Sequence, residues 1–299
     1  MSRSFKSGYI AIVGRPNVGK STLLNAFLGQ KIAAVCDKPQ TTRHRILGIK
    51  TTAEGQMLFV DMPGIHRPHK SLNEYMMDVA RAALDEVDLF LFVVEPSKKT
   101  LHNDHQVFEM IQHRKKPIFL VINKTDHTSR DALLPIIESY HQEFHPDEIF
   151  PISATRQKGL EALEKEILKK LPEGPLYFPE DQVSDLPDRF IVAEMIREKI
   201  TALTREEVPY SVTVQIESYQ EPKEGDSKKL VRIQAAIIVE KDSQKGILIG
   251  KKGEMIKKIG TEARIEVEKH LGLKVFLELF VRVEENWTKD PKKVKELAY

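Results

Sequence analysis

The sequence predicts an α/β domain with a mostly parallel sheet and helices on both faces, followed by a smaller α+β domain. Three observations point there. Gly14-Arg15-Pro16-Asn17-Val18-Gly19-Lys20-Ser21 fits the spacing G-x-x-x-x-G-K-[ST] and stands between an apolar run and a helical stretch. Apolar runs of strand length alternate with helical patterns from 8 to 171. Beyond a proline-rich segment the order becomes helix–strand–strand–helix–G-x-x-G–helix–strand.

A length of 299 residues suits two domains better than one. The hydrophobic share of 41% with 30% charged residues fits a soluble globular chain, and no apolar run approaches the ~18 residues of a membrane span. The first residues carry charge without an apolar core behind it, so no secretory signal is expected. A single cysteine, Cys36, excludes an internal disulfide or a cysteine zinc cluster and suits a reducing cytoplasm. Net charge is +2, so any nucleic-acid surface has to come from local clustering.

In chain order, residues 9–13 read as a buried parallel strand and 22–28 as a helix ending at Gly29. Residues 37–45 are polar, contain Pro39 and read as a mobile loop. A hairpin pairs 46–50 with 57–60 around Glu54-Gly55, and the second strand ends in Asp61-Met62-Pro63-Gly64. Residues 71–84 repeat apolar positions at helical spacing. Strands follow at 88–94, at 118–122 before Asn123-Lys124-Thr125-Asp126, and at 149–152 before Ser153-Ala154-Thr155. Residues 159–170 form an amphipathic helix. Three prolines in 171–179 and Pro187 mark a linker over 173–187, separating a first domain of 1–172 from a second of 188–299. There the expected elements are a helix at 188–203 capped by Asp188, strands at 208–217 and 230–240, helices at 242–249 and 254–271, a strand at 274–283 and a short basic tail helix from 290.

The motifs at successive strand ends have one chemistry in common. In the first loop backbone N–H groups curl around phosphates, Lys20 reaches the β- and γ-phosphates and Ser21 offers a hydroxyl to Mg²⁺; Thr22 continues the loop. In the D-x-x-G turn, Asp61 can hold a water on Mg²⁺ and the Gly64 N–H can meet a γ-phosphate. In N-K-x-D, Asp126 can accept two hydrogen bonds from N1–H and the exocyclic amine of guanine, which adenine cannot supply. Asn123 and Lys124 would support the loop and cover the base, and Ser153-Ala154 would offer a backbone N–H to the guanine oxygen.

Taken with Gln40-Thr41-Thr42-Arg43-His44-Arg45, the phosphate loop resembles that of the Era subfamily of bacterial GTPases, within the translation-factor-related class, and the likeness runs over nearly the whole chain. Met62 departs from it, since most relatives carry threonine there. The resemblance implies attack of water on the γ-phosphoryl group of GTP. Ser21 and Thr42 would be direct Mg²⁺ ligands and Asp61 a ligand through water; Thr41 is the rival for Thr42. The catalytic set is then Lys20, Thr42, Gly64 and Asn17. Ile65 stands where a water-orienting glutamine could follow Gly64, so slow intrinsic turnover is expected, with K⁺ near Asn17, a backbone group or a partner supplying the missing help. His66, Arg43 and His44 are nearby in sequence, and surface loop roles are the alternative for each.

The element order of the second domain matches a type II KH domain, with Ile249-Gly250-Lys251-Lys252-Gly253 at its turn and Lys257 and Lys258 beyond. Five lysines and one acidic residue fall between Lys245 and Lys258, which fits a clamp on a single-stranded backbone. Trp287 could stack on a base or pack in the core. The resemblance implies binding to the 3′ end of 16S rRNA, a role in maturation of the small ribosomal subunit, and a monomer. Two other readings remain. One is a regulator docked to protein or to the inner membrane through the lysines of 289–295. The other is an RNA chaperone whose nucleotide site is structural.

Overall fold

In the computed structural model, residues 4–38, 43–63, 84–97, 101–222 and 229–297 are described. The chain divides into two compact units. Of the described residues, the first holds 4–32, 43–63, 84–97 and 101–185, and the second 33–38, 186–222 and 229–297.

The first unit is a six-stranded sheet. Strand β1 (Lys6–Val13) leads into helix α1 (Lys20–Leu28), followed by β2 (Ile46–Thr52), β3 (Gly55–Asp61) and β4 (Leu89–Val94). Helix α2 (Leu101–Ile111), β5 (Ile118–Ile122), α3 (Arg130–Phe144), β6 (Glu148–Pro151) and α4 (Leu160–Lys170) complete it. The strand order is β2-β3-β1-β4-β5-β6, with β2–β3 antiparallel and the other pairs parallel. Strands β4 and β5 are buried along their whole length, as their unbroken apolar runs require when both faces are covered. On one face Phe27 stacks on Phe59 with centroids 4.6 Å apart; on the other Phe144 meets Phe92 edge-on at 5.4 Å. Strand order reverses at β1, so the loop leaving Val13 opens into the crevice between β3 and β4, where such sheets bind ligands.

Most expected elements are present, and the hairpin has its expected pairing. Helices α2 and α3 had no individual counterparts in the sequence reading, and α3 carries Pro135 in its interior. The helix expected at 71–84 lies, but for Leu84, outside the described residues. The segment read as a linker runs against the first unit as far as Asp185. The Gln56 side chain is fully buried and all four of its hydrogen bonds are made: its amide donates to Thr51 Oγ1 and Phe178 O at 2.9 Å, and its carbonyl accepts from Tyr177 N and Phe178 N at 2.9 and 3.0 Å. Val183 O accepts from Ile49 N at 2.9 Å. Prolines break secondary structure here, but the Tyr177 and Phe178 N–H groups find an acceptor on the sheet.

The second unit starts with α5 (Asp188–Leu203), a helical turn at Val208–Ser211, and β7 (Thr213–Gln220). It continues through β8 (Leu230–Val239), α6 (Asp242–Ile249), a turn at Lys251–Gly253, α7 (Glu254–Leu271), β9 (Lys274–Val283) and α8 (Pro291–Leu297). The sheet order is β7-β8-β9, antiparallel then parallel. Pro187, not Asp188, precedes α5 as its cap; Asp188 is the first helical residue, and its carboxylate lies 3.1 Å from His270 Nε2. Strand β7 begins five residues later than expected, because Pro209 opens a helical turn and the hydroxyl of Ser211 turns back onto Glu207 O at 2.9 Å. Trp287 is fully buried and its indole N–H donates to Ser211 O at 3.0 Å, so it packs and does not stack on a base.

Replacing Gln56 by Leu should cost the first unit about 1 to 2 kcal/mol, since two part-buried N–H groups lose their acceptor. Urea unfolding measures this; a loss under about 0.5 kcal/mol would mean that Gln56 does not hold the segment.

Candidate functional sites

The phosphate loop follows β1 and ends in α1, whose N-cap is Gly19 with φ 97° and no side-chain cap. The first N–H groups of the helix therefore face outward for an anion. A Cβ on Gly19 would stand 2.3 Å from Asn123 Nδ2, so only glycine admits this approach. Asn17 takes a left-handed conformation at φ 66°. Lys20 is buried and folds back on its own loop, donating to Gly14 O at 3.1 Å and Arg15 O at 2.9 Å. Burial pushes its ammonium down to about 8, against the pull of Asp61.

Ser21 and Asp61 meet at the end of β3, with the hydroxyl 2.6 Å from Oδ2 of a fully buried carboxylate. A hydroxyl and a carboxylate converging at a phosphate loop are hard oxygen donors that fit Mg²⁺. Met62 and Pro63 are buried behind them. Thr41, Thr42, Gly64, Ile65 and His66 lie outside the described residues. Arg43 and His44 are buried, so the surface-loop alternative for these two does not hold.

Asn123 leaves β5 and bridges two loops: Nδ2 donates to Val18 O at 2.9 Å and Oδ1 accepts from Ala154 N at 3.0 Å. Of the Ser153-Ala154 pair expected to offer a backbone N–H to the guanine oxygen, Ser153 N gives its hydrogen to Lys158 O at 3.1 Å and Ala154 N gives its hydrogen to Asn123. Lys124 donates to Asn17 O at 2.6 Å and pairs with Glu95. The Thr125 hydroxyl donates to Ile152 O at 2.8 Å. Ser153 donates to Asp126 Oδ1 at 2.7 Å, and this bond is the main reason the carboxyl sits below the usual carboxylate range. Asp126 is therefore anionic and aimed, as an acceptor of two donors must be. Thr155 Oγ1 lies 3.3 Å from the Ser153 hydroxyl.

Sequence reasoning missed Asp104. This residue of α2 is fully buried, accepts from Arg15 Nε at 2.5 Å and from Tyr140 OH at 2.8 Å, and so ties the phosphate loop to α2 and α3. Burial raises its carboxyl pKa and the two donors oppose that rise. The only signal in the sequence was an acidic residue inside an amphipathic helix.

In the second unit Gly250 ends α6 with φ 71°, Lys252 is left-handed at φ 51°, and Gly253 caps α7 at φ 79°. A Cβ on Gly250 would fall 2.8 Å from Met255 Cβ. Lys251, Lys252, Lys257 and Lys258 are exposed, and Ile249 presents 36% of its surface. Beside the turn runs an open groove of about 300 Å³ between α7 and β9, formed by Ile256, Gly260, Arg264, Leu277 and Leu279 among others. These five were not identified from sequence. The signal was there in principle: 256, 260 and 264 share a helix face, and 277 and 279 one side of a strand.

Residues 9–124 match the family described as 50S ribosome-binding GTPase, and residues 207–288 match the KH domain. Fold and sites define a P-loop GTPase joined to a KH domain. The chain is 51% identical over 295 residues to GTPase Era of Geobacter metallireducens, covering 99% of this chain and 98% of that protein. It is 52% identical over 297 residues to GTPase Era of Geotalea uraniireducens, covering 99% of each. An Aquifex aeolicus Era variant bound to GDP·AlF4⁻ superposes with a TM-score of 0.93 at 43% identity over 99% of both chains, and a structure of Era with MgGDPNP and nucleotides 1506–1542 of 16S ribosomal RNA does so with the same values. The chain belongs to the Era GTPase family, and it is a GTPase.

Assigning Lys20 to the phosphates predicts that their binding depends on pH. Phosphate charge raises the ammonium pKa again on binding, so GTP binding takes up a proton where free Lys20 is deprotonated, and affinity falls as pH rises above about 8. Calorimetry in two buffers of different ionisation enthalpy should show greater proton uptake at pH 9 than at pH 7. Equal uptake at both would mean that Lys20 does not meet the phosphates.

Proposed function

We propose that this GTPase is a cytoplasmic, monomeric switch that binds the 3′ end of 16S rRNA and assists maturation of the small ribosomal subunit. The observation that carries this reading is a guanine-nucleotide loop set in the same chain as a lysine-bearing G-x-x-G turn beside an apolar groove. A relative 43% identical over 99% of its length has been crystallised with that rRNA segment.

On this reading Asp126, aimed by Ser153, selects guanine, and Lys124, held over the loop by Asn17 O, covers the base. The Lys20 ammonium exchanges Gly14 O and Arg15 O for β- and γ-phosphate oxygens. Ser21 and Asp61, with Thr42 from the loop, would hold Mg²⁺, which when bound neutralises charge on the phosphate oxygens. A water oxygen attacks the γ-phosphorus, the bond to the β–γ bridging oxygen breaks, and Lys20 with the loop N–H groups meets the charge on the leaving diphosphate. The Gly64 N–H serves the γ-phosphate. In the second unit the backbone of one RNA strand rests on the N-terminus of α7 and on Lys251 and Lys252, while bases enter the groove along Gly260 and Leu277.

One double and one single variant separate the roles. Lys251→Asp with Lys252→Asp should nearly abolish binding of a 16S 3′-end RNA in fluorescence anisotropy and leave GTP binding intact. Asp126→Asn should weaken GTP, favour xanthosine triphosphate and leave RNA binding intact. Full-strength RNA binding by the double-Asp chain sinks the RNA reading, and capture of anionic vesicles in its place would favour docking through Lys292 and Lys295.

K⁺ beside Asn17 is part of the same proposal. Turnover should be faster in KCl than in NaCl at equal ionic strength, and Asn17→Ala should remove the difference; identical rates in both salts exclude the ion.

A further inference from the structure

Contacts from outside the phosphate loop close into a circuit that starts and ends on it. Arg15 Nε donates to Asp104 Oδ1 of α2 at 2.5 Å. Asp104 Oδ2 accepts from the Tyr140 hydroxyl of α3 at 2.8 Å, and that hydroxyl lies 3.4 and 3.3 Å from Glu95 O and Ser97 O in the loop after β4. The Glu95 carboxylate pairs with Lys124, and Lys124 donates to Asn17 O at 2.6 Å. Asn17 stands two residues from Arg15, so the circuit returns to the same short stretch of backbone. It joins residues 15–17 to Lys124 of N-K-x-D through Asp104, Tyr140 and Glu95, three residues to which the hydrolysis scheme gives no part.

Two features make Asp104 the critical member. Its carboxylate is fully buried, with one oxygen taken by Arg15 and the other by Tyr140. Arg15 Nη2 is itself buried with no acceptor among the described residues, so the bond from Nε is what anchors the guanidinium. Inside the loop Lys20 is a further brace, donating to Gly14 O and Arg15 O. On the reading given for GTP binding, Lys20 leaves both oxygens for the phosphates. From then on residues 15–17, with the left-handed Asn17, depend on the outer circuit.

We propose that Asp104 is a positioning residue for GTP hydrolysis: through Arg15 it holds the backbone of residues 15–17 for the chemical step, and through Tyr140 and Glu95 it couples that setting to Lys124 at the guanine base. The proposal rests on the roles given to Lys20 and Lys124 under the function proposed. Asp104 acts through its two donors and not on the reacting atoms. Its effect falls on the step most sensitive to geometry. Bound phosphates draw the loop N–H groups near their places, but charge on the leaving diphosphate is met only by donors already aimed at it. A displacement of about 1 Å can cost about 100-fold in rate. Loss of the anchor therefore lowers the rate of hydrolysis more than the affinity for GTP, whereas a role in core packing alone lowers stability and spares both. The circuit adds a second consequence. Opening it at Asp104 or at Glu95 frees the same three residues, so opening it twice frees little more.

The test is single-turnover hydrolysis of GTP by the full chain, with protein in excess, which reads the chemical step apart from product release. Asp104→Ala should slow it about tenfold or more, while GTP affinity changes less than about threefold. Asp104→Asn keeps an oxygen for Arg15 Nε and an amide for the Tyr140 oxygen, and should recover most of the rate. Glu95→Ala should also slow hydrolysis, and Asp104→Ala with Glu95→Ala should match the slower single variant within about twofold. A wild-type rate in folded Asp104→Ala, or a loss confined to affinity, overturns the proposal. So does an Asn variant as slow as the Ala one, since the hold on Arg15 would then not be what matters. Rates that multiply in the double variant overturn the coupling to Lys124. Should Asp104→Ala not fold, Glu95→Ala, at a partly exposed position, decides in its place, and a wild-type rate there overturns the proposal. Lys20→Ala is run beside these: wild-type affinity and rate in that variant would sink the reading of Lys20 itself, whatever Asp104 does.

Discussion

The buried amide of Asn123 sets the spacing of the nucleotide site. Its two ends are used in opposite directions, as a donor to Val18 in the phosphate loop and as an acceptor from Ala154 after β6. Three strand-end loops are thereby held at one mutual distance by a side chain only 2% exposed. Buried amides satisfied at both ends are rigid, and leaving one end empty is costly. Gly19 is part of the same constraint, since any Cβ there would collide with this amide. The glycine of the phosphate loop and the asparagine of N-K-x-D, far apart in sequence, are one packing solution.

The motifs were legible because each needs particular residues at fixed spacing, and so were the helices whose apolar periodicity is undiluted, such as α4 and α7. Other features depended on tertiary partners. Tyr140 and Phe144 of α3 pack into the core, but Pro135 and a polar surface blur the pattern between them. The start of β7 moved because Ser211 is needed elsewhere, as acceptor for the Trp287 indole through its carbonyl and for Gln244 through its hydroxyl. Trp287 itself was ambiguous until its partner was known. The proline-rich stretch before α5 reads as a linker by composition, yet Gln56, more than a hundred residues away, supplies its hydrogen bonds.

Asp104 shows what a motif search omits. A carboxylate buried without charge compensation would be strongly unfavourable. Arg15 and Tyr140 compensate it, and in doing so fix a variable position of the phosphate loop, Arg15, to two helices outside the motif. Lys124 adds a second tie through Asn17 O. The loop's conformation, including the left-handed Asn17, is thus imposed from outside the loop as well as by its glycines.

The helices that open the two candidate sites begin in the same way. Helices α1 and α7 begin at glycines with positive φ, and neither has a side-chain cap. A serine or aspartate at those positions would stabilise the isolated helix by bonding its free N–H groups, and would also occupy the place of a phosphate oxygen. The two sites then diverge in what surrounds the N-terminus. At Gly19 the neighbouring amide closes in, Lys20 is buried and the site can enclose a small ligand of fixed shape. At Gly253 a Cβ would meet nothing within 4 Å, and the adjoining lysines are in solvent. An enclosed cradle suits a nucleotide that must be held for in-line attack by water. An open one suits a polymer, whose next residue has to continue past the site along the groove beside β9.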